Sequence, residues 1–293
     1  MLNFALEIGC ETMNSVTGKQ KFPTVGDLLM LLLLFVLSQV VFSAVINAFG
    51  VVAPITSAID AVDIETYMNE QEALGRYIAT IYPLSMLFSI GTLWCYVRLR
   101  GGRKTIRIRH SARGFDPIIV LVGVMWLLAA QIVLESLMSL LPQHDGRGLG
   151  RGIWACVTAV FSAAVLEELL CRGLLFETLH RRWGAKTSIL FSSLFFGLIH
   201  SDLSTAIVAV VAGVIFGVMY IRTSSLFSTI IIHSINNAMA FAMISMGVGD
   251  ISLYDIIGGG VFYWVIYVVA AAIFVGCCTE AYIRVFRNKK ITK

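Results

Sequence analysis

Charge is what this sequence lacks. Of its 293 residues only 14% are Asp, Glu, Lys or Arg, while 58% are hydrophobic. Soluble domains carry about 25% charged residues. A soluble fold could not keep this much apolar surface from water, so a water-soluble enzyme is excluded and one membrane domain fills the chain. There is no separate basic domain either, because the basic residues flank apolar runs, and this argues against nucleic acid as a partner. A disulfide framework is also missing. The six cysteines (Cys10, Cys95, Cys156, Cys171, Cys277 and Cys278) are scattered, and most lie in or beside apolar runs. They read as small core hydrophobes, and the Cys277-Cys278 pair lacks zinc-site spacing. The first 25 residues include Glu7, Glu11, Lys19 and Lys21, which predicts no cleavable signal peptide. No internal repeat and no low-complexity segment is visible.

What is present is a series of apolar runs, each near the ~20 residues needed to cross a hydrocarbon core of about 30 Å. Eight candidate spans follow, at residues 27–55, 77–99, 117–141, 153–179, 187–200, 205–221, 226–246 and 256–283. The connections alternate in charge. Seven Lys/Arg lie between Arg98 and Arg113, then Arg181, Arg182 and Lys186, then Arg222, then a tail with Arg284, Arg287, Lys289, Lys290 and Lys293. The intervening connections are poor in Lys/Arg. One of them is acidic, with Asp60, Asp63, Glu65, Glu70 and Glu72. Positive charge marks the cytoplasmic side, so an all-α polytopic bundle with both termini inside is expected. The expected layout is a cytoplasmic segment at 1–26, a helical membrane domain at 27–283 and a basic tail at 284–293. Pro83 is expected to kink the second span. Gly213 and Gly217 form a GxxxG read as helix packing.

A charge at bilayer depth costs roughly 2.5–3.5 kcal/mol on insertion scales, so each exception calls for a reason. The fourth span holds Glu167 and Glu168 side by side, with Arg172 beyond them. Glu168 and Arg172 stand four apart, share a helix face and can pair. Glu167 is rotated by about 100° and is left without a local partner. A desolvated carboxylate of this kind is a plausible proton acceptor. The fifth span ends in Phe196-Gly197-Leu198-Ile199-His200. Phe196 lies one turn before His200 and is expected to pack beneath its ring, and Gly197 admits another helix. The seventh span holds His233 and Asn237 four apart on one face, with Asn236 rotated off it. At ~1.5 Å per residue, Glu167 lies roughly 18 Å from the cytoplasmic end of its span, His200 roughly 20 Å and His233 roughly 10 Å. A common layer is therefore expected. Gln131 and Glu135 share a face of the third span and are secondary candidates. Glu280 is expected at the interface, and His144 and His180 in solvated connections.

Glu167-Glu168-x-x-x-Arg172, then Phe196-x-x-x-His200, then His233-x-x-x-Asn237 resembles the three motifs of the CPBP intramembrane proteases. That family includes type II CAAX prenyl endopeptidases, bacteriocin-processing and self-immunity proteins, and Abi proteins. The resemblance implies an intramembrane endopeptidase for membrane-associated or lipidated peptides and proteins. Glu167 and His200 would activate a water, His233 and Asn237 would stabilise the oxyanion, and Glu168, Arg172 and Phe196 would support the site. The resemblance favours a reaction without a cofactor. The alternative is zinc held by Glu167, His200 and His233, a donor set that suits zinc-bound water, although no HExxH is present. Two other functions remain in view. A non-proteolytic scaffold or self-immunity protein could keep the motifs for folding alone. A transporter would want a repeat or broken helices in both halves, and the ionisable groups fall only in the second half. For a prokaryotic source the location would be the plasma membrane.

Overall fold

Thr24 and Asp27 start the first helix by capping each other. Thr24 Oγ1 accepts from the Asp27 amide at 3.1 Å, and the Asp27 carboxylate accepts from the Thr24 amide at 2.8 Å. Helix α1 then runs over Val25–Ala48. A computed structural model of the chain describes residues 22–54, 63–101, 115–141, 147–200, 202–249 and 251–287. Residues 1–21 of the N-terminal segment, residues 288–293 of the basic tail, Cys10, Asp60, His144 and residues 102–114 of the first basic connection lie outside that description.

The described residues form helices throughout. Helix α2 covers Ile64–Gly101 and α3 covers Pro117–Met138. Next come α4 (Gly152–Val157), a π-helical stretch (Thr158–Ser162), α5 (Ala163–Glu168), a second π-helical stretch (Leu169–Phe176) and α6 (Glu177–Leu198). They are followed by α7 (Leu203–Thr223), α8 (Leu226–Ser245), the short α9 (Leu253–Ile256) and α10 (Gly260–Ala281), which continues as a π-helical turn (Tyr282–Arg287).

Among the described residues seven helices are long and apolar enough to cross a membrane, one of them the unbroken run Gly152–Leu198. At ~1.5 Å per residue a straight helix of that length would far exceed a core of about 30 Å. It is not straight. Gly184 has φ 73° and ψ −179°, a left-handed backbone that only glycine adopts readily. The neighbours on α7 show that the chain turns back there. Arg172 reaches Gly213, and Phe176 packs on Tyr220, so that limb runs parallel to α7. Beyond Gly184, Ile189 lies against Gly217, Ser193 against Gly213, and Val210 against Gly197, so that limb runs antiparallel. The run therefore folds back on itself as two antiparallel limbs, where the sequence was read as two separate spans.

Contacts between helix ends agree on sidedness. Asp27 meets Tyr96 and Arg100, Arg182 donates to the Pro23 carbonyl, Phe115 packs on Phe227, and Arg222 pairs with Glu280. All of these lie at the face carrying the basic connections. At the opposite face the Arg151 amide donates to the Gln71 carbonyl, and Glu135 accepts from Tyr263 and from the Leu253 amide.

Two elements differ from expectation. Helix α2 begins 13 residues before the predicted span. Asp63 caps it, accepting from the Thr66 amide, and Glu72 pairs with Arg76 at 2.7 Å. The acidic stretch is thus an added helical segment, docked where Gly75 meets the Arg151 carbonyl. Pro83, expected at a kink, lies inside this helix. His180 is the second difference. It sits half-buried in α6, stacked on Phe176 at 5.4 Å, and not in a solvated connection. The GxxxG expectation is met, since a Cβ at Gly213 would stand 2.9 Å from the Ser193 Cα.

Two outcomes test this architecture. In a cysteine-free background, Arg222→Cys should react with an impermeant thiol reagent from the same side as Arg181→Cys, and Leu203→Cys from the other. A single pass over 152–198 would place Arg181 and Arg222 on opposite sides. Gly197→Leu should lower stability by about 1–3 kcal/mol through overpacking, because its Cβ would lie 2.4 Å from Val210 and 2.8 Å from the Ala206 carbonyl. Gly276→Ala, where nothing lies within 4 Å, should leave the melting temperature in detergent unchanged.

Candidate active site

The two adjacent glutamates sit on the single α-helical turn between two π-helical stretches. A π-helix shifts the hydrogen-bond register to i→i+5 and is frequent at functional sites. Here it does two things. It redirects the side chains that follow, and it presents a backbone carbonyl, that of Ala159, to which the Asn237 amide donates at 2.9 Å.

Glu168 and Arg172 are both fully buried and paired at 2.8 Å, as their spacing predicts. Arg172 also donates to the Gly213 carbonyl at 2.7 Å. Its guanidinium lies over the rings of Phe196 and Phe216, at 5.1 Å and 5.2 Å. The cation is thus held by one carboxylate, one carbonyl and two aromatic faces, which is the company a buried charge requires. Glu168 Oε2 and Arg172 Nε are buried without hydrogen-bond partners.

Glu167 is 8% exposed and is held differently. Its Oε1 accepts from the Tyr82 hydroxyl at 2.6 Å, and no Lys or Arg among the described residues pairs with it. Its Oε2 stands 3.7 Å from His233 Nε2. The other ring nitrogen of His233 lies 3.3 Å from Glu168 Oε1. The imidazole therefore sits between the two carboxylates, stacked on Phe216 at 4.8 Å and edge-on to Phe196 at 5.6 Å.

Phe196 joins the histidines. It packs edge-to-face with His200 at 5.2 Å, and its carbonyl is 2.8 Å from His200 Nδ1. The expected packing beneath His200 is present. His200 itself meets Phe196 and makes no direct hydrogen bond to Glu167. Among the described residues no group of three His, Cys, Asp or Glu side chains gathers to hold a metal ion. Glu167, His200 and His233 are not gathered as three ligands in this arrangement.

Helix α3 supports the site from behind. Gly123 lets Ile232 approach, since a Cβ there would lie 2.6 Å from Ile232 Cδ1. One face further along, Gln131 donates to Asn236 at 2.7 Å, and Asn236 donates in turn to Asn237 at 3.4 Å. Glu135 is engaged elsewhere, with Tyr263 and the Leu253 amide. Tyr82, the Gly213 carbonyl and the Ala159 carbonyl have no counterpart in the sequence reading. Tyr82 had one available signal, a hydroxyl inside an apolar run. The two carbonyls had none.

The buried pair carries a stability prediction. Arg172→Ala should destabilise the protein by about 3–5 kcal/mol, because it leaves Glu168 as an uncompensated buried charge. Glu167→Gln keeps the Tyr82 acceptor and should cost under ~1 kcal/mol. Thermal melting of the purified protein in detergent separates the two.

Comparison with known proteins agrees with the motifs. No curated protein and no solved structure matches the chain. The family model described as type II CAAX prenyl endopeptidase Rce1-like matches residues 149–239, which include Glu167, Glu168, Arg172, Phe196, His200, His233 and Asn237. The segment holding these residues is thus similar to the Rce1-like CAAX-type proteases, and the chain is an integral membrane protein with many passes.

Proposed function

We propose that the protein hydrolyses peptide bonds of membrane-associated or lipidated substrates, with Glu167 as the proton acceptor. The observation that carries this is the unequal treatment of two adjacent carboxylates. Glu168 is neutralised by Arg172, whereas Glu167 receives a neutral phenol and faces His233 across 3.7 Å. A charge-paired carboxylate is a poor base, and one oriented by a neutral donor keeps its capacity to take a proton.

In the proposed step a water loses a proton to Glu167, with His200 helping to orient it, and its oxygen bonds to the scissile carbonyl carbon. His233 and one Asn237 N–H stabilise the oxyanion. A carboxamide nitrogen carries two hydrogens, and Ala159 takes one of them, so the second is available. Collapse of the intermediate breaks the C–N bond, and the proton on Glu167 passes to the leaving amine. Glu168 and Arg172 hold His233 in place. No metal takes part in this scheme, and activity should persist in chelator.

A scaffold or self-immunity role is the second reading. It is favoured by His233 and Asn237 both being engaged within the protein. Peptidomes of cells carrying the wild type and Glu167→Gln decide between the readings. The enzyme predicts peptides that disappear with the variant, and the scaffold predicts identical peptidomes with the cellular phenotype intact. In a purified assay, Glu167→Gln, His200→Ala and His233→Ala should each lower kcat at least ~100-fold, and Asn237→Ala by about 10²–10³ if it donates to the oxyanion. Retained activity in Glu167→Gln would overturn the mechanism.

A further inference from the structure

We infer that Tyr82 is a positioning residue for this reaction, holding Glu167 by one oxygen so that the other faces the reacting water and His233. The inference rests on the reading of Glu167 as proton acceptor, and it lies outside the matched segment, since Tyr82 belongs to α2.

Three observations support it. The Tyr82 hydroxyl donates to Glu167 Oε1 at 2.6 Å, from a position 85 residues away in the chain. Among the described residues that is the one hydrogen bond Glu167 receives from a side chain, so it sets the carboxylate's rotation. The tyrosine is itself held. Its carbonyl accepts from the Ser85 hydroxyl at 2.9 Å, and Pro83 follows it with a restrained backbone. Finally, the donor is neutral. A Lys or Arg at this place would pair with Glu167 as Arg172 pairs with Glu168, whereas a phenol orients the carboxylate without taking its charge.

The same helix supplies a control. Tyr96 donates to Asp27 at 2.6 Å, in the same chemistry and at the same length. Asp27 is also held by Arg100 and Thr24, and joins α1 to α2 at the basic face of the bundle. That bond is structural, so its loss measures what a tyrosine–carboxylate contact contributes to folding alone.

The test uses the full-length purified protein in detergent and a fluorogenic farnesylated CAAX-tail peptide as probe. Tyr82→Phe keeps the ring and removes only the donor. It should lower kcat by about 10- to 100-fold, the scale of a misplaced catalytic group, with KM changed less than twofold. Tyr96→Phe should leave kcat unchanged, even if its melting temperature falls. Three results would overturn the inference: wild-type kcat in Tyr82→Phe beside an inactive Glu167→Gln, a rise in KM at constant kcat, or an equal loss of kcat in Tyr96→Phe. Equal cleavage by the wild type and Glu167→Gln would instead remove the reading of Glu167 as proton acceptor, and this inference with it.

Discussion

A fully buried carboxylate and a fully buried guanidinium, Glu168 and Arg172, form the interaction on which the rest of the site depends. Bringing two charges out of water is expensive, and attraction between them offsets it only with good geometry and further partners around the pair. That requirement reaches across the bundle. It calls for a carbonyl from α7, which Gly213 offers because the helices approach closely there. It calls for two aromatic faces, from Phe196 on α6 and Phe216 on α7. It also places a carboxylate oxygen beside His233 on α8. One ion pair thus sets the mutual position of three helices and the orientation of one histidine.

The chain delivers these groups by departing from regular helix at chosen points. The π-helical stretches on either side of Glu167 and Glu168 change the register and give Asn237 a carbonyl to hold. The left-handed Gly184 turns the chain back so that α6 returns along α7. Small residues at Gly197, Gly213 and Gly217 then let these elements touch. Without a hydrophobic force between helices in lipid, close packing and interhelical hydrogen bonds must hold the bundle together.

Much of this was legible in the sequence. The Glu168–Arg172 pair follows from a spacing of four residues, and the Phe196–His200 contact follows in the same way. Asn236 was expected off the His233–Asn237 face, and it turns instead to Gln131. Other contacts were not legible. No spacing along the chain encodes that His200 meets the Phe196 carbonyl while His233 stands opposite Glu167. Gln131 and Glu135 share a face in the sequence, yet only Gln131 reaches the motif helix, because a helix face spans neighbours at different depths.

By itself the sequence determined an all-α bundle of membrane-spanning helices and the identity of the charged groups within its apolar runs. These follow from the cost of placing charge in hydrocarbon and from periodicity along one helix, both of which are local. Tertiary structure alone decided that Tyr82 would hold Glu167, that the Gly213 and Ala159 carbonyls would become acceptors, and that His233 would lie between two carboxylates. Those outcomes depend on the rotation and crossing of helices distant in the chain. A difference of one residue in register, as a π-helical turn supplies, is enough to redirect a side chain from one partner to another.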